Sequence, residues 1–247
     1  MIKKLYEKSE MWFAIAWIIA YMVLASIGDN ISADIGVLKI VTLPILIILS
    51  VLLFNFVKRN GLSNEYGLCK PKISASKMLF YIPLIILITE NLWLGITMNT
   101  SPLETFLYVL SMLCVGFLEE MIFRGFLFKA MAKSDVKSAI IVSSVTFGIG
   151  HIVNLINGSG AELLPNILQV IYSIAIGFAF VMIYYKTKSL LPCIVTHSLF
   201  NAASAFANKA AITFQSRIIS CVMIIIIACG YALYITLMVK EKEIKQI

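Results

Sequence analysis

The sequence predicts an all-α fold, a polytopic transmembrane helical bundle of about eight spans with both termini cytoplasmic. Three observations predict it. The 247 residues are 60% hydrophobic and only 13% charged, where a soluble domain carries about 25% charged residues. The charges sit in short clusters between apolar runs of bilayer-crossing length, about 20 residues. Every second connection between those runs is rich in Lys, the bias of cytoplasmic loops.

The expected spans are 11–28, 35–57, 79–96, 104–128, 138–154, 163–185, 189–207 and 215–239. The first follows MIKKLYEKSE and ends without an A-x-A type cleavage site, so a retained helix is expected rather than a cleaved signal. The third contains Pro83, Glu90 and Asn91, and the seventh is short of strongly apolar residues in its second half. Lys3, Lys4 and Lys8 precede the first span, and Lys58, Arg59, Lys70, Lys72 and Lys77 flank the connection after the second. Lys129, Lys133 and Lys137 follow the fourth, Lys186 and Lys188 the sixth, and Lys240, Lys242 and Lys245 the last. The alternate connections hold little beyond Lys39, Lys209, Arg217, Asp29, Asp34 and Glu162.

The net charge of +7 is therefore topological. A nucleic-acid partner would need a basic solvated face with aromatic platforms, which is absent. Cys69, Cys114, Cys193, Cys221 and Cys229 form no C-x-x-C and lie in spans or on the cytoplasmic side, where disulfides are rare. Asn99-Thr100-Ser101 and Asn157-Gly158-Ser159 are sequons in outward connections and carry no inference.

Ionisable groups inside the spans carry more information. A charge at the centre of a spanning helix costs about 2.5–3.5 kcal/mol on insertion scales. FLEEMIFRGF, residues 117–126, nevertheless holds Glu119, Glu120 and Arg124. The remaining polar inventory is short: Glu90 and Asn91, then His151, then His197 and Asn201, with both histidines of the chain inside spans. Counted from the cytoplasmic ends of their helices, Glu119 lies at roughly 15 Å, His151 at roughly 20 Å, His197 at roughly 12 Å and Asn201 at roughly 18 Å. Groups from three helices thus converge on one layer.

Helix geometry divides them. Glu120 and Arg124 are spaced i, i+4 and form an ion pair, while Glu119, about 100° away from Glu120, is expected to remain unpaired and to face the histidines. Gly148 and Gly150 in GIGH are expected to let helices approach closely. A carboxylate, two imidazoles and an amide suffice for hydrolysis by water. Glu119 can take a proton from water, His151 can hold that water or pass the proton on, and His197 and Asn201 can donate to the oxyanion. Ser143 and Ser144 have no base placed by motif, Ser159 sits in an incomplete G-x-S-G, and there is neither H-E-x-x-H nor an intramembrane aspartate.

Three motifs in order resemble those of the CAAX prenyl endopeptidase and bacteriocin-processing (Abi) family of intramembrane glutamic endopeptidases. They are EEMIFRG at 119–125 (E-E-x-x-x-R), FGIGH at 147–151 (F-x-x-x-H) and HSLFN at 197–201 (H-x-x-x-N). The resemblance implies one membrane domain, 1–247: N-terminal spans 1–103, a protease-like core 104–205, and the last span and basic tail 206–247. It implies catalytic Glu119, His151, His197 and Asn201, a site shaped by Glu120 and Arg124, and no metal in the expected site. Zinc is the alternative cofactor, since one Glu and two His are reasonable ligands.

The expected partners are a peptide or lipid-modified protein substrate and the bilayer. The expected location is the plasma membrane of a bacterium, with cleavage near the cytoplasmic leaflet and a role in peptide maturation or bacteriocin processing and self-immunity. A proton-coupled transporter also uses intramembrane Glu, His and Arg, but repeat symmetry is not visible. A non-catalytic immunity or scaffold protein is the third alternative.

Overall fold

Apolar runs long enough to cross a bilayer must satisfy their own backbone, and the helix does so within one segment. The computed structural model describes residues 2–157 and 160–239, so Gly158 and Ser159 of the second sequon and the lysines of the tail lie outside the described residues. After a short helix, Ile2–Lys8, the spans are α1 (Glu10–Ile35), α2 (Thr42–Arg59), α3 (Ala75–Leu92), α4 (Pro102–Ala132), α5 (Val136–Leu155), α6 (Leu163–Thr187), α7 (Leu191–Phe206) and α8 (Phe214–Met238). Seven of these are long and apolar enough to cross a membrane, and α7 is the shorter one. The expected seventh span, 189–207, is therefore a helix of reduced length. Pro192 starts it, and its last turn tightens to a 3-10 helix over Ser204–Phe206.

The third span is broken near its start, away from Glu90 and Asn91. Leu79, Phe80 and Tyr81 occupy the left-handed region, and regular α-helix covers only Ile82–Thr89. The break frees carbonyls that α8 takes up. Tyr231 donates its hydroxyl to Met78 O at 2.7 Å and Tyr234 donates to Lys77 O at 3.2 Å.

Helix α6 sits centrally, packed against α5, α7 and α8. Small residues allow these approaches: a Cβ on Gly148 would lie 2.9 Å from Ile174 N, and one on Gly177 would lie 3.0 Å from Ser144 Cα. Gly150, by contrast, faces open space, so only one of the two expected glycines makes a close approach. Side chains such as Ile19, Ile48, Val51, Phe106, Ile219 and Leu237 are half or more exposed. On a soluble protein such a surface would aggregate; around a bundle it meets lipid tails.

The two ends of the bundle differ. At the end carrying the 60–74 connection, Tyr66 is buried among Tyr6 and Phe126, and the connection is bonded to the α6–α7 turn by Lys72 N–H to Thr187 O and Leu190 N–H to Gly67 O, both 2.8 Å. At the other end, Ile96 and Ala207 form a single antiparallel bridge, and Asn99 donates to Ala207 O at 2.8 Å.

Candidate active site

Helix α4 begins with a capping box, Ser101 and Glu104, and Pro102 in its first turn. It runs as regular α-helix to Glu119 and then widens to a π-helix over Glu120–Phe128. Such wide turns, bonded i→i+5, are rare and often mark functional sites. The change of pitch falls between the two glutamates. Because the wide turn spreads neighbouring side chains over a smaller angle than the 100° of an α-helix, both carboxylates reach α7.

They meet there on one imidazole. His197 Nδ1 lies 2.8 Å from Glu120 Oε1, and its Nε2 lies 3.6 Å from Glu119 Oε2. A carboxylate only accepts, so Nδ1 carries the proton toward Glu120 and Nε2 is the atom turned to Glu119. Glu120 Oε1 also accepts from Arg124 Nη1 at 3.0 Å, and Glu120 and Arg124 are both completely buried. The expected ion pair is present, with a second duty added: Glu120 holds His197.

The expectation that Glu119 stays unpaired needs correction. The Tyr21 hydroxyl, reaching from α1, donates to Glu119 Oε1 at 2.6 Å, leaving Oε2 without a hydrogen-bond partner on the His197 side. Tyr21 was absent from the polar inventory because Tyr reads as apolar in a span, although a buried phenol usually finds a partner.

Phe147, the first residue of FGIGH, is the other unforeseen member. The Arg124 guanidinium lies over its ring at 4.0 Å. The ring meets His151 and His197 edge-on, with centroids 5.2 and 5.6 Å away. One aromatic thereby covers a buried cation and fixes two imidazole planes.

His151 ends the α-helical part of α5. Its Nδ1 is 3.1 Å from Phe147 O and donates to that carbonyl, so Nε2 is the ring's acceptor in the neutral form. Asn166 of α6 holds the His151 carbonyl at 2.8 Å. Asn201 lies one turn beyond His197, and together with His151 and His197 it lines a small cavity of about 30 Å³. His151, Asn201, Tyr21 and Glu119 also line a large cavity of about 660 Å³. Gly116 makes this geometry reachable: a Cβ there would lie 2.6 Å from Ser198 N, so α4 and α7 touch backbone to backbone one residue from His197.

The remaining polar residues have partners of their own. Glu90 hydrogen-bonds Ser220 of α8, and Asn91 donates to Phe200 O at 2.9 Å. Ser143 donates to Phe123 O and Ser144 to Ile140 O, which leaves neither hydroxyl with a base.

A bundle of apolar helices that gathers two carboxylates and two imidazoles beside an internal cavity is a multi-pass membrane protein with an intramembrane polar centre. Residues 101–203 match the family described as type II CAAX prenyl endopeptidase Rce1-like. That segment, less than half of the chain, holds all three motifs, and over it the chain is similar to a family of membrane endopeptidases. No curated protein and no solved structure matches the chain.

Proposed function

We propose that the protein is an intramembrane glutamic endopeptidase that hydrolyses a peptide bond of a membrane-associated peptide or lipid-modified protein, in bacterial peptide maturation or bacteriocin processing. The observation that carries this reading is Glu119, in the wall of a large cavity, set against His197, which Glu120 holds from its other side.

In this reading Glu119 Oε2 accepts a proton as a water oxygen attacks the substrate carbonyl carbon. Tyr21 keeps the carboxylate turned so that Oε2, not Oε1, faces the reaction. The Asn201 amide donates to the oxyanion, and His197 Nε2 does so when the ring carries both protons. His151, with Nδ1 held by Phe147 O, offers Nε2 to the water. The C–N bond then breaks as the proton passes from Glu119 to the leaving amine, and Glu119 is regenerated. Glu120, Arg124 and Phe147 touch no reacting atom and act by positioning His197.

Zinc on Glu119, His151 and His197 is the alternative to this scheme, and two features of the described residues weigh against it. No group of three or more His, Cys, Asp and Glu among them is arranged to hold a metal ion, and His197 Nδ1 is taken by Glu120.

The test is peptide processing by purified protein in detergent, with and without chelator. Wild type is expected to cleave, Glu119→Ala to be inactive, and chelator to change nothing. Cleavage that survives Glu119→Ala refutes the glutamate mechanism, and a chelator-sensitive activity restored by zinc replaces it with a metal one.

A further inference from the structure

The cavity that contains Glu119 reaches only one end of the bundle. Its walls reach the 36–41 connection at Gly36, Leu38 and Lys39, the start of α4 at Glu104, and the 207–213 connection at Lys209. No lining residue comes from the 60–74, 133–135 or 188–190 connections at the opposite end. At about 660 Å³ it falls in the ~300–1,000 Å³ range of ligand sites.

The opposite end is sealed by packing. All nine residues of Glu120–Phe128 are buried. Beyond them Phe126 meets Phe13 and Tyr66 at ring distances of 5.0 and 4.9 Å. The 60–74 connection closes over this layer: Lys129 Nζ and the Tyr184 hydroxyl both donate to Glu65 O, and Gly67 packs against Tyr184 and Leu190.

The charges assign sides to these ends. The sealed end carries Lys58, Arg59, Lys70, Lys72, Lys77, Lys129, Lys133, Lys137, Lys186 and Lys188. The open end carries Lys39, Lys209 and Arg217, and Lys39 is paired with Asp29 at 2.7 Å. Lys and Arg accumulate on the cytoplasmic side. We propose that the candidate active site is entered from the extracytoplasmic face, so that its substrate is a peptide segment already carried across the membrane. A translocation reaction must then supply the substrate. The acids at the mouth are held internally, Asp29 by Lys39 and the Thr42 hydroxyl, and Glu104 by the Leu38 N–H and Ser101, while Lys209 adds a cation to the wall.

This rests on the endopeptidase reading, and it revises the expected cleavage near the cytoplasmic leaflet. Depth along the helices located the polar layer but said nothing of the direction in which it opens.

The test is thiol accessibility in a background with the native cysteines replaced by alanine, with a membrane-impermeant charged methanethiosulfonate added to intact cells. Lys209→Cys marks the mouth, Val115→Cys, one turn from Glu119 in the cavity wall, marks the depth, and Ser134→Cys marks the sealed end. The expected result is full labelling of Lys209→Cys and Val115→Cys in intact cells, and of Ser134→Cys only after permeabilisation. Labelling of Ser134→Cys with protection of Lys209→Cys would invert the orientation and overturn the proposal. So would labelling of Val115→Cys only after permeabilisation, or only after denaturation of a protein that elutes as a folded species. Detergent has no sides, so loss of cleavage in Glu119→Ala together with inward labelling would sink this inference and leave the protease reading standing.

Discussion

The two parts of α4 on either side of the Glu119–Glu120 peptide bond live in different solvents. Pro102–Glu119 is ordinary α-helix with one face on the large cavity, where Glu104, Tyr108, Met112, Val115 and Glu119 follow one another at helical spacing. Glu120–Phe128 is π-helical, and every one of its residues is buried. Adjacent glutamates of the same chemistry therefore have different surroundings, and the proposed function gives them different tasks. The one on the cavity side can meet water and substrate, and the one on the dry side can only organise its neighbours.

The strongest way to sharpen this contrast is to remove charge from each side in turn. Glu119→Gln is expected to lower processing by about 10²–10⁴-fold, the range of a lost general base, with a thermal midpoint in detergent close to wild type. Arg124→Met is expected to act on the fold, by about 3–5 kcal/mol, because it strands the buried Glu120 charge. Thermal unfolding in detergent reads it. The double variant Glu120→Leu/Arg124→Met should cost clearly less than the sum of its single changes, since an apolar pair leaves no uncompensated charge. Additive costs would mean that the pair is not coupled as its 3.0 Å contact indicates.

How much of this was legible in the sequence follows the same divide. Long apolar runs and alternating basic connections were enough for an all-α membrane bundle, because both are consequences of the bilayer as solvent. Convergence of Glu119, His151, His197 and Asn201 on one layer needed only the rise of a helix. The i, i+4 pair Glu120–Arg124 was also legible. What was not legible depended on tertiary placement. Tyr21 is remote in sequence and bears no charge. The sharing of His197 by both glutamates depends on the helix widening at Glu120, and no local residue signal marks a π-helix in EMIFRGFLF. The direction of the cavity depends on how the 60–74 connection folds over one end.

A smaller effect tests the Tyr21 contact. Tyr21→Phe keeps the ring packing and removes the hydroxyl that holds Glu119 Oε1. Hydrogen bonds to charged groups are worth about 1.5–3 kcal/mol, so turnover should fall by about ten- to hundredfold. KM and the elution of the folded protein should be unchanged. A fall in stability with turnover intact would make Tyr21 a packing residue only.

The smallest effects come from two glycines, and here the contrast between the two parts of α4 runs opposite to the motif. Gly125 belongs to EEMIFRG and lies in the dry part, yet a Cβ there would be no closer than 3.6 Å to Leu190 Cδ1. Gly116 lies outside the motif on the cavity part, and a Cβ there would lie 2.3 Å from Ser198 Oγ and 2.6 Å from Ser198 N. Backbone cannot step aside as a flexible side chain can. Gly116→Ala is therefore expected to cost about 1–3 kcal/mol through overpacking and to push His197 away from both glutamates, so activity falls with stability. Gly125→Ala is expected to be neutral or stabilising by up to about 1 kcal/mol, with processing retained. Equal damage from the two alanines would show that the motif glycine is needed for the wide turn itself, which would move the origin of the π-helix from its packing to Gly125.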